Sequence, residues 1–396
     1  MKMISEWKTA RLGDLVAFKT GKLDSNAAVP NGNYPFYTCS QETLRTNTYS
    51  FDTECVLLAG NNANGIYPLK YFNGKFDAYQ RTYVVTTRDP QVLTTRFLYY
   101  ALRPKLSQLR SVSTGAATKF LTLTILNQTE IEVPPLSAQC RVTEILSAYD
   151  DLIENNQRRI KILEKMARSL YREWFVHFRF PGHEKVKMVP SPLGPIPHGW
   201  EVKKLGDLAT VNRAQINPRT APDEVHYIDI SSVSPGQIDS ITSYLIAEAP
   251  GRARRIVQHG DILWSCVRPN RRSHALVIKP EQDTIASTGF AVLTATRVPF
   301  TFLYFATTTD DFVTFLANNA TGAAYPAVSA KTFYDAVLLI PPPPLLKEFG
   351  ETTIPMAEQI HILQCQNKNL RHTRDLLLPR LLSGQMNPGI NEVENG

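Results

Sequence analysis

Trp7-Lys8-Thr9-Ala10-Arg11-Leu12-Gly13-Asp14-Leu15 returns later in the chain as Trp200-Glu201-Val202-Lys203-Lys204-Leu205-Gly206-Asp207-Leu208, at an offset of 193. Further along the offset is 207. Thr114-Gly115-Ala116-Ala117 returns as Thr321-Gly322-Ala323-Ala324, and Val133-Pro134-Pro135 as Ile340-Pro341-Pro342. Self-similarity at a fixed spacing marks a repeated scaffold and has to be recognised before individual elements are assigned. The ends of the two copies match while their middles diverge, and the second copy holds 14 extra residues inside its globular part. Two versions of one scaffold with different contents is the reading that decides the fold.

Each copy has two parts. The first is strand-rich: Val56-Leu57-Leu58, Tyr83-Val84-Val85, Ile262-Leu263-Trp264 and Phe290-Ala291-Val292-Leu293 are short β-branched or aromatic runs between Gly, Asn and Pro punctuation. Short helices are expected at 95–109 and 301–317. The second part begins after the prolines and reads as one long helix, from about Ser137 to Phe175 in the first copy. There Leu146, Tyr149, Ile153, Asn156, Ile160, Leu163, Ala167, Leu170 and Trp174 step by three and four without a break. Met356, Ile360, Leu363, Asn367, Leu370, Arg374, Leu377 and Leu381 do the same in the second copy, where Pro379 is expected to stop or kink the helix.

Seams this regular call for a partner helix, and a central asparagine in each can fix register at some cost in stability. With the helices antiparallel and Asn156 opposite Asn367, Ile160 faces Leu363, Leu163 faces Ile360, Ile153 faces Leu370 and Leu146 faces Leu377. Tyr149 then meets Arg374, where ring and guanidinium can stack. The expected class is α+β: two β-rich mixed domains separated by two long antiparallel helices in a coiled coil, as a pseudo-two-fold repeat. The expected divisions are 1–136 and 200–344 for the globular domains, 137–178 and 345–384 for the helices, 179–199 for a proline-rich extended linker and 385–396 for a flexible tail.

The 396 residues are 43% hydrophobic and 20% charged, which excludes a disordered chain. No stretch approaches the roughly 18 apolar residues of a membrane span, and the opening Met1-Lys2-Met3-Ile4-Ser5-Glu6 lacks the apolar core of a signal peptide. Cys39, Cys55, Cys140, Cys266 and Cys365 lie far apart, which fits neither a disulfide scaffold nor a zinc ribbon. A soluble, cytoplasmic protein is expected. The net charge of +7 points towards a polyanionic partner. Residues 1–140 hold 15 Lys+Arg against 10 Asp+Glu and residues 141–200 hold 10 against 7, so the excess is no tail and any basic footprint must be assembled by folding.

Catalytic signatures fail one after another. Gly60-Asn61-Asn62-Ala63-Asn64-Gly65 has the spacing of a phosphate loop, but Ile66-Tyr67 follows where Lys and Ser/Thr are needed. Glu6-Trp7-Lys8 and Glu201-Val202-Lys203 have no aspartate in the upstream position a metal-dependent nuclease needs, and the eight histidines lack ligand spacing. The proline pairs lack the loop chemistry of an amino-methyltransferase. Nucleic-acid contacts are easier to find. Arg252, Arg254, Arg255, Arg268, Arg271 and Arg272 cluster in the second copy, and Lys19, Lys22, Lys75, Arg81, Arg88 and Lys119 are scattered among tyrosines in the first. Arg can read guanine edges while Lys mainly holds phosphate.

The chain resembles the specificity subunits of type I restriction-modification systems. The likeness rests on the repeated Trp…Leu-Gly-Asp-Leu openings, the Thr-Gly-Ala motifs and the Pro-Pro-helix junctions. It also rests on Asn155-Asn156-Gln157-Arg158-Arg159-Ile160 through Tyr171-Arg172-Glu173-Trp174-Phe175, on Leu377-Leu378-Pro379-Arg380-Leu381-Leu382-Ser383-Gly384, and on the junction Ile196-Pro197-His198-Gly199-Trp200. The resemblance implies two target-recognition domains, each reading one half of a split site in double-stranded DNA. It implies two modification subunits on the helices, bringing S-adenosylmethionine and adenine methylation, and restriction subunits using ATP and Mg2+. It further implies that this chain binds no cofactor or metal and is not itself catalytic. Helices of about 30 residues, roughly 45 Å long, would then hold half-sites about one DNA turn apart. Two other readings are an enzyme with built-in recognition, which the missing motifs disfavour, and a DNA-independent coiled-coil scaffold, which leaves the divergent β-rich copies unexplained.

Overall fold

A computed structural model describes residues 7–63, 65–115, 118–217 and 219–386. The opening hexapeptide, Ala116-Ala117 of the first Thr-Gly-Ala motif and residues 387–396 of the expected tail lie outside the described residues. The chain divides into two compact units, one made of residues 1–155 with 367–396 and the other of 156–366. The division passes through both long helices, so each unit holds half of each.

In the first unit Lys8–Arg11 pairs antiparallel with Glu130–Val133, which closes the domain on its own ends. Inside lies a sheet with strand order 16–20, 82–87, 51–59, 69–78, 34–37, 44–46. The central strand Phe51–Ala59 is buried along its second half, as a strand covered on both faces must be. The expected 95–109 helix is two helices, Thr95–Leu102 and Lys105–Val112, because Pro104 has no N–H to continue the first. Thr94 caps the first by accepting from the Phe97 N–H. The core joins Leu12, Val16, Val56, Val85, Phe97 and Ile131 to Val142 and Leu146 of the first long helix and Leu378 and Leu381 of the second.

The second unit repeats this frame. Glu201–Lys204 pairs with Val337–Ile340 in the register of the first closure, Glu201 opposite Ile340 as Lys8 is opposite Val133. Its strands 209–211, 290–295, 262–265 and 274–276 follow the order of 16–20, 82–87, 51–59 and 69–78. Beyond these four the units part. The first extends the same sheet with 34–37 and 44–46. The second builds a separate sheet, ordered 242–245, 224–228, 284–287, 253–256, with the middle pair parallel. Most of the 14 extra residues enter here, between the strand Ala209–Val211 and Asp261. The expected 301–317 helix is again two, Phe300–Thr307 and Asp310–Asn318, with Thr309 capping the second.

The long helices run Leu136–Tyr171, followed by a wide turn Arg172–Val176, and Pro343–Leu382. Pro379 does not stop the second. Its missing N–H falls one turn from the helix end, and the buried Leu378 and Leu381 beside it keep that turn in place. Within each unit the helix halves run antiparallel. Arg374 meets Asp150 in the first, and in the second Asn156 donates to Gln366 while Tyr171 packs on Phe349. All the seam residues, Leu146, Tyr149, Ile153, Asn156, Ile160, Leu163 and Leu170 with Met356, Ile360, Leu363, Asn367, Leu370 and Leu377, are buried or half-buried. The expected stack of Tyr149 on Arg374 gives way to an ion pair, since Asp150 offers the guanidinium a full charge.

The segment expected as an extended linker is instead a folded part of the second unit. Met188–Val189 pairs with Ile196–Pro197, and Phe180, Ile196 and Trp200 join a buried aromatic cluster with Phe175, Phe302 and Phe349. Apolar side chains among the prolines explain the difference. Phe349, fully buried, lies 4.9 Å from the Phe175 ring. Phe349→Ala is expected to destabilise the second unit by about 3–5 kcal/mol in denaturant unfolding.

His274 is buried against Trp264, and among the described residues its Nδ1 has no hydrogen-bond partner. Burial, helped by Arg168 and Arg272, pushes its pKa down to about 4. A group depressed from about 6.5 contributes stability at neutral pH that is lost as pH falls from about 6.5 towards 4. The melting temperature should therefore fall more steeply over that window in the wild type than in His274→Phe, as followed by calorimetry across pH.

Candidate nucleic-acid interface

Thr114-Gly115 and Thr321-Gly322, which open the two repeated motifs, are tied to the chain that follows by the same backbone pairing. In the first unit Thr114 and Phe120 exchange backbone hydrogen bonds of 3.2 and 2.8 Å. In the second Thr321 and Ala327 do so at 2.9 and 2.8 Å. Gly115 and Gly322 share a φ of +105°, a conformation that side-chain-bearing residues rarely adopt. Each loop is stitched to the end of the central strand: the Leu121 N–H donates to the Gly60 carbonyl, and the Val328 N–H to the Cys266 carbonyl.

An arginine lies over an exposed aromatic ring at each loop. In the first unit it is Arg81 over Phe120, 5.6 Å from the ring centroid. In the second it is Arg268 over Tyr325 at 4.5 Å, with Arg268 also donating to the Ala324 carbonyl at 3.1 Å. Tyr325 is 67% exposed. A flat ring with a guanidinium on it offers stacking, hydrogen-bond donors and positive charge in one place, which is the chemistry that grips nucleic acid.

Folding gathers some of the expected cations and separates others. Lys22 follows Gly21, whose N–H donates to Thr82, so Lys22 and Arg81 share one end of the sheet, and Lys119 lies on the loop's own strand against Asn62. Lys19 is exposed one strand over, opposite Val84. Lys75 lies 4.8 Å over the Tyr49 ring. Arg88 donates to the Gly13 carbonyl at the opposite end of the 82–87 strand from Arg81, near the closing strands.

In the second unit Arg268 and Arg272 both take a left-handed backbone conformation around the short turn Pro269–Arg271. Arg272 pairs with Asp310 and Arg254 donates to the Ala253 carbonyl, while Arg252 and Arg271 are exposed. Arg255 is half-buried. Desolvation lowers its pKa, and it lies close enough to Cys266 to offset part of the burial that raises that thiol to about 11. The two basic clusters, 13 residues or more apart in sequence, thus approach each other beside the loop.

Sequence reasoning missed the aromatic partners Phe120 and Tyr325. Their signal was an aromatic residue shortly after each repeated Thr-Gly-Ala, four residues on in the first copy and two in the second. It also missed Lys70, whose Nζ donates to the Ser40 and Glu42 carbonyls and whose pKa burial lowers to about 8. Among the described residues no group of His, Cys, Asp and Glu is arranged to hold a metal.

The profile of the family described as "Type I restriction modification DNA specificity domain" matches residues 4–165. The chain is 29% identical over 297 residues to the type I restriction enzyme EcoDI specificity subunit of Escherichia coli, covering 68% of this chain and 63% of that protein. It is 24% identical over 305 residues to the MjaIX specificity subunit of Methanocaldococcus jannaschii, covering 74% and 69%. The match therefore spans a little under two thirds of the first relative's length. The crystal structure of a type I restriction-modification S subunit from M. genitalium superposes with a TM-score of 0.65 at 16% identity, covering 95% of this chain and 96% of that one, which shows a shared fold.

The matched stretch contains the first of the two loops, and its demand for glycine is testable. A Cβ at Gly115 would lie 2.1 Å from the Thr118 carbonyl oxygen, whereas at Gly322 the nearest atom, the Tyr325 carbonyl oxygen, is 3.2 Å away. Both alanine substitutions are expected to lower stability by about 1–3 kcal/mol through backbone strain, with Gly115→Ala the more damaging in thermal melts.

Proposed function

Because this chain belongs to the family of type I restriction-modification specificity subunits, we propose that it supplies DNA sequence specificity to such a complex, each repeat reading one half of a divided duplex site. The observation that carries the reading is the pairing of an identical frame with different contents. Both copies close on their own ends in the same register and present the same glycine loop, yet one extends its sheet where the other inserts a second sheet. Identical frames suit identical tasks, and different contents suit two half-sites of different sequence.

The division of labour follows. Lysines and arginines hold phosphates, so affinity falls steeply with salt, while a few arginines reach base edges. The long helices set the length of the unread spacer and carry two modification subunits, with restriction subunits joining for cleavage. S-adenosylmethionine, ATP and Mg2+ belong to those partners, and this chain contributes recognition rather than turnover. Work in the cytoplasm, where the DNA is, fits the reading; among the described residues no helix is long and apolar enough to cross a membrane.

Selection from pooled random duplexes, with the chain alone and with its modification subunit, should return two short half-sites of unlike sequence separated by a spacer of fixed length. Insertion of one heptad in a long helix should change the spacer and leave the half-sites as they were. Arg271→Ala should weaken binding, with a loss of about 1–3 kcal/mol if the side chain reaches a base. Recovery of no enriched sequence would leave the scaffold reading, and turnover by the isolated chain with S-adenosylmethionine or Mg2+ would favour the enzyme reading.

A further inference from the structure

The offset of 207 that relates the copies also relates the helices, since the first starts at Leu136 and the second at Pro343. Positions that ought to correspond can therefore be compared between units. In the first unit Asp150 of the first long helix stands at a junction of three elements. Arg374 of the second long helix donates to its Oδ1 at 2.5 Å, and Tyr100 of the globular domain donates to its Oδ2 at 2.8 Å. Arg103, from the same domain, lies 3.6 Å from that oxygen. Tyr100 is 1% exposed and Arg374 8%. Charges this far out of water are held by mutual pairing, and the fork of the guanidinium makes the pairing directional.

In the second unit the corresponding positions are Ala357 for Asp150 and Ala167 for Arg374, and Phe305 for Tyr100, since Phe97-Leu98-Tyr99-Tyr100-Ala101 matches Phe302-Leu303-Tyr304-Phe305-Ala306. The ion pair is replaced by two alanines, and the tyrosine by a phenylalanine without the hydroxyl that would bond to it. Ala167 and Ala357 line a cavity of about 140 Å³ between the helix halves and the domain, bordered by Glu164, Arg168, Tyr304 and His361. The hole is where the clamp would have been. The second joint is held instead by the aromatic cluster around Phe349, whose packing is strong but not directional.

We propose that Asp150, Arg374 and Tyr100 are positioning residues that fix the orientation of the first recognition domain on its helices, whereas the second domain sits on a yielding joint, so that tolerance to half-site spacing is set by these two unequal attachments. This rests on the specificity-subunit reading. A rigid joint holds its reading surface at one angle, and a joint with a cavity between its packed side chains can rock by small side-chain shifts.

The test uses the chain assembled with its modification subunit. Wild type first defines the half-sites. Duplexes with those half-sites fixed and spacers one or two base pairs shorter or longer then compete with the preferred length. Tyr100→Phe removes one hydrogen bond with almost no change of shape, and Asp150→Asn removes the charge. Each is expected to raise recovery of off-length duplexes roughly five-fold, the change in an equilibrium that one ordinary hydrogen bond produces. Ala357→Leu, which fills the cavity, should lower that recovery. Half-site sequences should stay unchanged in all three. Variants that melt within a few degrees of wild type yet keep its spacer profile would overturn the inference alone, as would altered half-site sequences with unaltered spacing. A wild-type complex that selects no divided site overturns the specificity reading and this inference with it.

Discussion

Each copy is tied shut by its own ends, and much else depends on that pairing. Lys8–Arg11 with Glu130–Val133, and Glu201–Lys204 with Val337–Ile340, bring the first and last strands of each globular part side by side. The exit strand then runs into two prolines, and the long helix begins immediately after them. Strand pairing thus delivers the helix to a defined place at a defined angle. Without it the domain could vary its contents only by moving its helix.

With the ends fixed, the middle is free to change. Loops and added strands cost little when the points they connect are already held together. The second unit's separate sheet, at 224–228, 242–245, 253–256 and 284–287, enters without disturbing the four-strand order it shares with the first unit. The glycine loops are the exception within the variable part. They sit on the end of the conserved central strand and keep the same φ and the same reciprocal hydrogen bonds in both copies, while the side chains they present differ. A constant backbone carrying variable side chains is a sound arrangement for reading different sequences in a common geometry.

The helices obey two demands at once. Along their seams they pack on each other, and at their ends they pack on a domain. Ala167, Phe175 and Phe349 serve the second purpose in one unit, and Val142, Leu146, Leu378 and Leu381 in the other. Polar seam residues appear where neither demand is purely apolar. Asn156 bonds to Gln366, and Arg374 is satisfied by Asp150 and Asp375. Buried polar groups of this kind must be paired, so they define position more sharply than apolar contacts do.

The repeat, the two long helices and their antiparallel sense were all legible in the residues alone, because periodicity and self-similarity are properties of the chain. The 179–199 segment was misread for lack of a partner. Five prolines suggest extension, and only the surrounding core shows that Phe180 and Ile196 have somewhere to be buried. Arg374 was legible as a break in the seam, but its neighbour Asp150 lies one position off that seam and the third member, Tyr100, lies in another domain. The basic side chains were countable, yet which of them gather at a glycine loop depends on strands far apart in sequence. Local pattern is written along the chain; proximity between distant residues exists only once the sheets and helices have closed around a core.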